Sequence, residues 1–208
     1  MQKFKTEFGQ NYHGLEMEKE NGKIIIRLAS LPDFALNEYH QVQIEYYSKF
    51  TELIYKALTL DSVDRFLKEL IAILGINEIE VRIMRLPAYK SKIYGISNKG
   101  KILEQQLYGR AWKKKPLIDI FPNCLYPGKK VEPFWNIGLR GFVLNSSIRA
   151  VIHELLHKSG LHNETEVREL TDFYYKQFRR KHIQQFDDEI KPLVRDWKKF
   201  EKENRATS

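Results

Sequence analysis

The seventeen residues AVIHELLHKSGLHNETE, numbered 150–166, constrain the fold of this chain more than any other segment. Apolar residues recur through it at helical spacing, which requires a helix with one buried face. Gly160 then follows as a helix stop, and Asn163 with Glu166 spells the Asn-x-x-Glu box that begins a new helix. The segment therefore predicts a buried helix, a tight turn and a second helix.

The string HELLH within this segment carries a candidate chemistry. His153 and His157 are four residues apart, so on a helix both imidazoles project from one face and can bind one ion. Zn²⁺ suits neutral imidazole, and three protein ligands leave a fourth position for water. Glu154 lies about 100° round the helix axis, where its carboxylate can act as general base toward that water. The competing interpretation is an amphipathic helix whose histidines merely form hydrogen bonds at the edge of the core.

Hydrophobic periodicity predicts an α+β chain elsewhere. Asn21-Gly22 indicates a type I′ hairpin, so residues 1–30 are predicted to form an N-terminal appendage and residues 31–208 the main domain. The other predicted elements are helices at 36–60 and 61–75, a strand at 78–86, a hairpin around 97–100 continuing that sheet, a strand at Leu117–Phe121, a helix at about 147–158 capped by Asn145 or Ser146, and two C-terminal helices with Pro192 in or near the start of the last.

Length, charge and cysteine content limit the classes of protein to which this chain can belong. A chain of 208 residues is long enough to bury a core, and no stretch reaches the roughly 18 apolar residues of a membrane span. The single Cys124 and the absence of an apolar leader favour a cytoplasmic protein without a disulfide framework. Many Lys, Glu and Ile with few Met and Cys are thermophile-like. The net charge of +8 permits a nucleic-acid partner, but scattered lysines more often form a solvated surface, so we do not favour one.

HELLHKSGLHNE resembles the signature of zincin metallopeptidases. Because Gly160 follows the second histidine by three residues, it is similar to the metzincin form His-Glu-x-x-His-x-x-Gly-x-x-His/Asp. The order of elements over about residues 36–180 also resembles the zincin fold. The resemblance implies a mixed, mostly antiparallel sheet with an active-site helix and flanking helices, a bound Zn²⁺, and hydrolysis of peptide or protein substrates.

The predicted strand at Leu117–Phe121 lies between Pro116 and Pro122, and flanking prolines favour a sheet edge. In zincins an extended peptide substrate pairs with the edge strand, so this strand is a candidate for that role. The alternative is an ordinary edge that its prolines protect against aggregation.

The third metal ligand departs from the metzincin pattern. The expected position holds Asn163, whose neutral amide binds zinc poorly. We predict Glu164, because it can reach back across the Gly160 turn, and keep His162 and Glu166 as alternatives. Glu166 would correspond to the glutamate ligand of gluzincins.

Further candidates flank the motif. Thr171 and Asp172 are candidate partners for the histidine ring N–H groups, as metal-binding histidines require. Tyr174 or Tyr175 could donate to a developing oxyanion, although paired tyrosines on a helix more often pack in a core. The loop at 126–142, with Phe134 and Trp135, would shape the substrate pocket.

The sequence thus predicts a zinc-dependent metallopeptidase. One alternative is a SprT-like protease that acts on DNA-bound proteins, for which the basic surface would provide affinity. The other is a non-catalytic, metal-binding zincin-like regulator.

Overall fold

The computed structural model describes residues 15–21, 23–32, 41–94, 101–122 and 138–205. Its strands are β1 (Leu15–Asn21), β2 (Ile24–Ala29), β3 (Ile79–Ile83), β4 (Ala88–Tyr94), β5 (Lys101–Leu107), β6 (Gly109–Ala111) and β7 (Leu117–Ile120). Its helices are α1 (Gln41–Leu58), α2 (Asp61–Ile73), α3 (Gly138–Leu144), α4 (Ala150–Lys158) and α5 (Glu164–Arg205), with a π-helical segment at Asn145–Arg149 between α3 and α4. The α+β class is confirmed.

Five strands form a mixed sheet in the order β1-β2-β3-β7-β6. The inner pairs β2/β3 and β3/β7 are parallel, and the outer pairs β1/β2 and β7/β6 are antiparallel. The sheet is therefore mixed, as predicted, but its two antiparallel pairs do not outnumber its two parallel pairs. The hairpin predicted at Asn21-Gly22 is present as β1/β2, and β2 joins it to β3 within the same sheet.

Two predictions about the sheet are wrong. The strand predicted at Leu117–Phe121 is present as β7, but it lies between β3 and β6 and is not an edge. Its prolines flank the strand and so remove no donor from its ladder. β6, which was not predicted as a separate strand, pairs with β7 and forms the edge of the sheet. The hairpin β4/β5 forms a separate two-stranded sheet and does not continue the main one.

The main core lies between the five-stranded sheet and the helices. In β3 the predicted alternation is observed, since Ile79, Val81 and Ile83 are buried between partly exposed charged neighbours. α2 begins at Asp61, but neither Asp61 nor Ser62 caps it with a side chain. Instead, the Glu189 carboxylate of α5 accepts hydrogen bonds from the Ser62 amide (3.1 Å) and hydroxyl (2.6 Å). None of the helices described here has both the length and the apolarity needed to cross a bilayer.

The C-terminal region forms one helix, α5, where two were predicted. Pro192 is exposed inside it, while Phe186, Ile190 and Trp197 are buried on either side. This apolar stripe packs continuously on the core, which outweighs the backbone hydrogen bond that the proline removes.

The helix that carries the motif is also longer than predicted. Asn145 and Ser146 do not cap it, because helical backbone continues from Gly138 through the π-helical segment. Ser146 and Ser147 are buried, and the Ser147 hydroxyl donates to the Val143 carbonyl at 2.6 Å. These serines thus lie inside the helix, and Ser147 bonds to its preceding turn.

Candidate metal centre

Two helices and the turn between them form the candidate site. The backbone of α4 ends at Lys158, and Gly160 takes a φ of 102°, which redirects the chain. The Asn163 side-chain oxygen then accepts hydrogen bonds from the amides of Thr165 (2.9 Å) and Glu166 (3.3 Å) and so caps α5. This short connection places Glu164, the first residue of α5, opposite the histidines of α4.

Three candidate ligand atoms converge across this turn. His153 Nε2 and His157 Nε2 lie 3.2 Å apart, and Glu164 oxygens lie 3.4 Å from His157 Nε2 and 3.7 Å from His153 Nε2. Tetrahedral zinc with bonds of about 2.0–2.1 Å separates its ligand atoms by about 3.3–3.4 Å. The spacing of the three groups therefore fits a zinc ion, and its fourth coordination position would be left for water.

Hydrogen bonds at the other ring nitrogens orient both histidines. His157 Nδ1 lies 2.9 Å from the Leu161 carbonyl, so it carries the proton. The Thr171 hydroxyl donates to the Val167 carbonyl at 2.6 Å, and its oxygen faces His153 Nδ1 at 3.4 Å as an acceptor. Both Nε2 atoms therefore direct lone pairs toward each other and toward a carboxylate. Such a cluster of acceptors is stabilised by a cation.

The structure shows which of the predicted ligands and hydrogen-bond partners lie at the site. His162, Glu164 and Glu166 are all exposed, but Glu164 belongs to the group whose ligand atoms all lie within 4.8 Å of one another, and His162 and Glu166 do not. Thr171 contacts His153, but Asp172 pairs with Arg149 at 2.5 Å. The two tyrosines, Tyr174 and Tyr175, pack as partly buried residues against the core.

Glu154 lies about 100° round the axis of α4 from His153 and is buried, with 7% of its surface exposed. It lies against β6, where the Ala111 amide donates a hydrogen bond to its carboxylate. Burial raises the pKa of Glu154 to about 8, the neighbouring carboxylates of Glu164 and Asp119 act in the same direction, and the Ala111 hydrogen bond opposes the shift. The carboxyl group is thus held where it can exchange a proton near neutral pH.

Two features near Glu154 were not found from the sequence. One is the close approach of Gly109 in β6 to the Glu154 side chain. A glycine inside a short strand is the sequence signal that could have indicated this contact. The other is Asp119, which is fully buried and accepts hydrogen bonds of 2.8 Å from Arg82, Arg110 and Trp112. These partners come from β3 and from β6 with the residue that follows it, so no local pattern predicts the cluster.

Phe134 and Trp135, predicted to shape a pocket, lie outside the described residues. Comparison with protein-family models, curated proteins and solved structures finds no match to this chain.

Proposed function

We propose that this chain is a zinc-dependent metallopeptidase with a zincin-like fold, in which His153, His157 and Glu164 bind the metal and Glu154 is the general base. The observation that carries the proposal is the convergence of three acceptor groups beside a buried carboxyl on the same helix. Neither feature alone would suffice, since exposed acidic groups often cluster without a metal.

The chemistry divides between the metal and Glu154. Zinc bound at this site would lower the pKa of its water to about 7 and polarise a substrate carbonyl. Glu154 would accept the proton of that water during attack on the peptide bond and then deliver it to the leaving amine. Its elevated pKa matches this exchange, and a cation nearby would favour the carboxylate form that begins the cycle.

The substrate strand is proposed to pair with β6. The sequence assigned this pairing to Leu117–Phe121, but the strand there, β7, has β6 as its outer neighbour and so offers no free edge to a substrate. The hydrogen bonds of the β6/β7 ladder leave the backbone groups of Gly109 and Ala111 pointing away from β7 along the outer edge. The Ala111 amide binds Glu154, so the backbone groups of Gly109 and the Ala111 carbonyl are the ones proposed to pair with a peptide. An extended peptide that added to this edge would pass beside Glu154.

The decisive test combines metal analysis with a matched pair of glutamine variants. We expect the purified protein to bind one zinc ion per chain and to cleave members of a peptide library. Glu154→Gln should retain zinc and lower the cleavage rate by about 10²–10⁴-fold, since it removes the proton acceptor. Glu166→Gln, an exposed control on the same short stretch, should match the wild type. Absence of stoichiometric metal in protein supplied with zinc would refute the proposal, and zinc binding without any cleavage would point to the non-catalytic regulator.

A second candidate is a protease that acts on DNA-bound proteins. It is supported by Lys113, Lys114 and Lys115, which are exposed in the connection between β6 and β7, next to the proposed substrate edge. DNA binding that weakens steeply with salt would favour it, because counterion release scales with the number of phosphate contacts. For either candidate, the single Cys124 supports a reducing, cytoplasmic setting.

A further inference from the structure

We infer that Gly109 and Ala111 of β6 are positioning residues that hold the Glu154 carboxyl group where it can act as the general base. The functional meaning of this inference rests on the proposed function, in which Glu154 is the base. The contact between β6 and Glu154 is independent of that assignment.

The ladder between β6 and β7 determines which groups of β6 reach Glu154. Trp112 donates its amide to the Leu117 carbonyl, and Tyr108 accepts from the Phe121 amide. The alternation of an antiparallel pair therefore leaves the amides of Gly109 and Ala111 directed away from β7. One of these amides, that of Ala111, donates to Glu154. An edge group that would otherwise bond to solvent or to a partner strand thus binds the base.

Gly109 provides the space that this contact needs. A Cβ atom at residue 109 would lie 2.6 Å from both Cγ and Oε1 of Glu154 and 2.9 Å from its Cδ, and the three nearest atoms all belong to that side chain. Of the described glycines, Gly75 and Gly160 have a positive φ, whereas Gly109 does not. The backbone conformation at 109 therefore suits any residue, and it is the position of Glu154 that requires glycine.

β6 is fixed in place on its opposite face and at its end, so it cannot easily withdraw from Glu154. Arg110 and Trp112 each bond to Asp119 of β7 at 2.8 Å. Lys158, next to His157 on α4, donates to the carbonyls of Trp112 and Lys115 at 2.6 Å. A methyl group added at 109 should therefore displace the Glu154 side chain and leave the strand where it is.

The kinetic test is Gly109→Ala. The substitution keeps the backbone amide and carbonyl that a peptide would use and touches no metal ligand. We expect kcat to fall by at least about 10-fold, because misplacing a reacting group by about 1 Å costs up to roughly 10²-fold. KM and zinc affinity should stay within about 2-fold of the wild type. An unchanged kcat, or a loss explained by KM or by lost zinc, would overturn the inference.

A thermal-unfolding cycle tests the contact without any activity. Gly109→Ala should lower Tm in the wild type and have little effect in the Glu154→Ala background, where the clashing atoms are gone. Gly75→Ala is the matched control, since its φ of 67° and open surroundings predict the same loss in both backgrounds. An equal fall in Tm on Gly109→Ala substitution in both backgrounds would refute the contact between residues 109 and 154. If Gly109→Ala alone fails to fold, the double variant should still fold like Glu154→Ala.

The two tests separate the inference from the proposed function. Coupling between residues 109 and 154 in a protein that cleaves no peptide would refute the peptidase and leave the contact standing. Cleavage that needs Glu154 but shows no coupling to residue 109 would refute the inference and leave the peptidase standing.

Discussion

His153 Nε2 and His157 Nε2 face each other at 3.2 Å on successive turns of α4. Their Nδ1 atoms are directed to acceptors, so each Nε2 presents a lone pair to the other. Burial lowers the pKa of His153, and His157 acts in the same direction, so protonation is a poor way to relieve this contact. In the proposed function the pair instead shares a cation, with Glu164 as the charged third partner.

The third ligand can be tested by substitution. Glu164→Gln should weaken zinc binding more than about 100-fold, since even residues that only orient ligands cost about 10–100-fold. His162→Ala and Glu166→Gln should bind zinc like the wild type, because both side chains lie outside the group of His153, His157 and Glu164. Competition with a chelating indicator measures the affinities. Loss of zinc in His162→Ala with full affinity in Glu164→Gln would assign the ligand to His162.

The orientation of His153 should depend on the Thr171 hydroxyl. Thr171→Val keeps the side-chain shape but removes the acceptor opposite Nδ1, so zinc affinity should fall about 10-fold. Thr171→Ser retains the hydroxyl and should lose less than the valine variant. The same competition titration decides the matter, and equal affinities for valine and wild type would contradict the role.

The buried Glu154 should make the metal-free protein less stable as pH rises. Its folded pKa is about 8 against an ordinary value of 4.5, so between these values the folded state keeps a proton that the unfolded state releases. Stability should therefore fall from about pH 5 to pH 8 and level off above. In the presence of chelator, the free energy of unfolding of Glu154→Gln should exceed that of the wild type by a few kcal/mol at pH 8, since each pKa unit is worth about 1.4 kcal/mol. Near pH 5 the two free energies should differ little. Urea unfolding at several pH values measures this, and parallel profiles would contradict it.

Asp119 should be the most sensitive acidic residue of the sheet. Asp119→Asn leaves Arg82 and Arg110 without their shared countercharge and should cost about 3–5 kcal/mol in urea unfolding. Glu69→Gln is the matched control, because the Glu69–Lys181 pair spans 3.7 Å at the surface and should contribute less than about 1 kcal/mol. Similar losses in the two variants would show that Asp119 is not the anchor of β6.

Local patterns predicted much of the site. The four-residue spacing of His153 and His157, the glycine stop at Gly160 and the Asn163 cap all act through neighbours along one helix or turn. Glu164 was predicted from its reach across the Gly160 turn, a connection of five residues, and the structure brings it to the histidines. Such short-range relationships depend on backbone geometry, which a stretch of sequence specifies by itself.

Tertiary packing decided the rest. Whether Leu117–Phe121 was an edge depended on β6 folding back over it, and whether α5 broke at Pro192 depended on the core beneath it. The surroundings of Glu154 likewise come from a strand more than forty residues away in the chain. By itself, the sequence determined a helix able to present two histidines to one ion and a turn able to bring a carboxylate to them. Only the fold determined the burial of Glu154 against β6, because desolvation and close contact arise between segments that no local pattern connects.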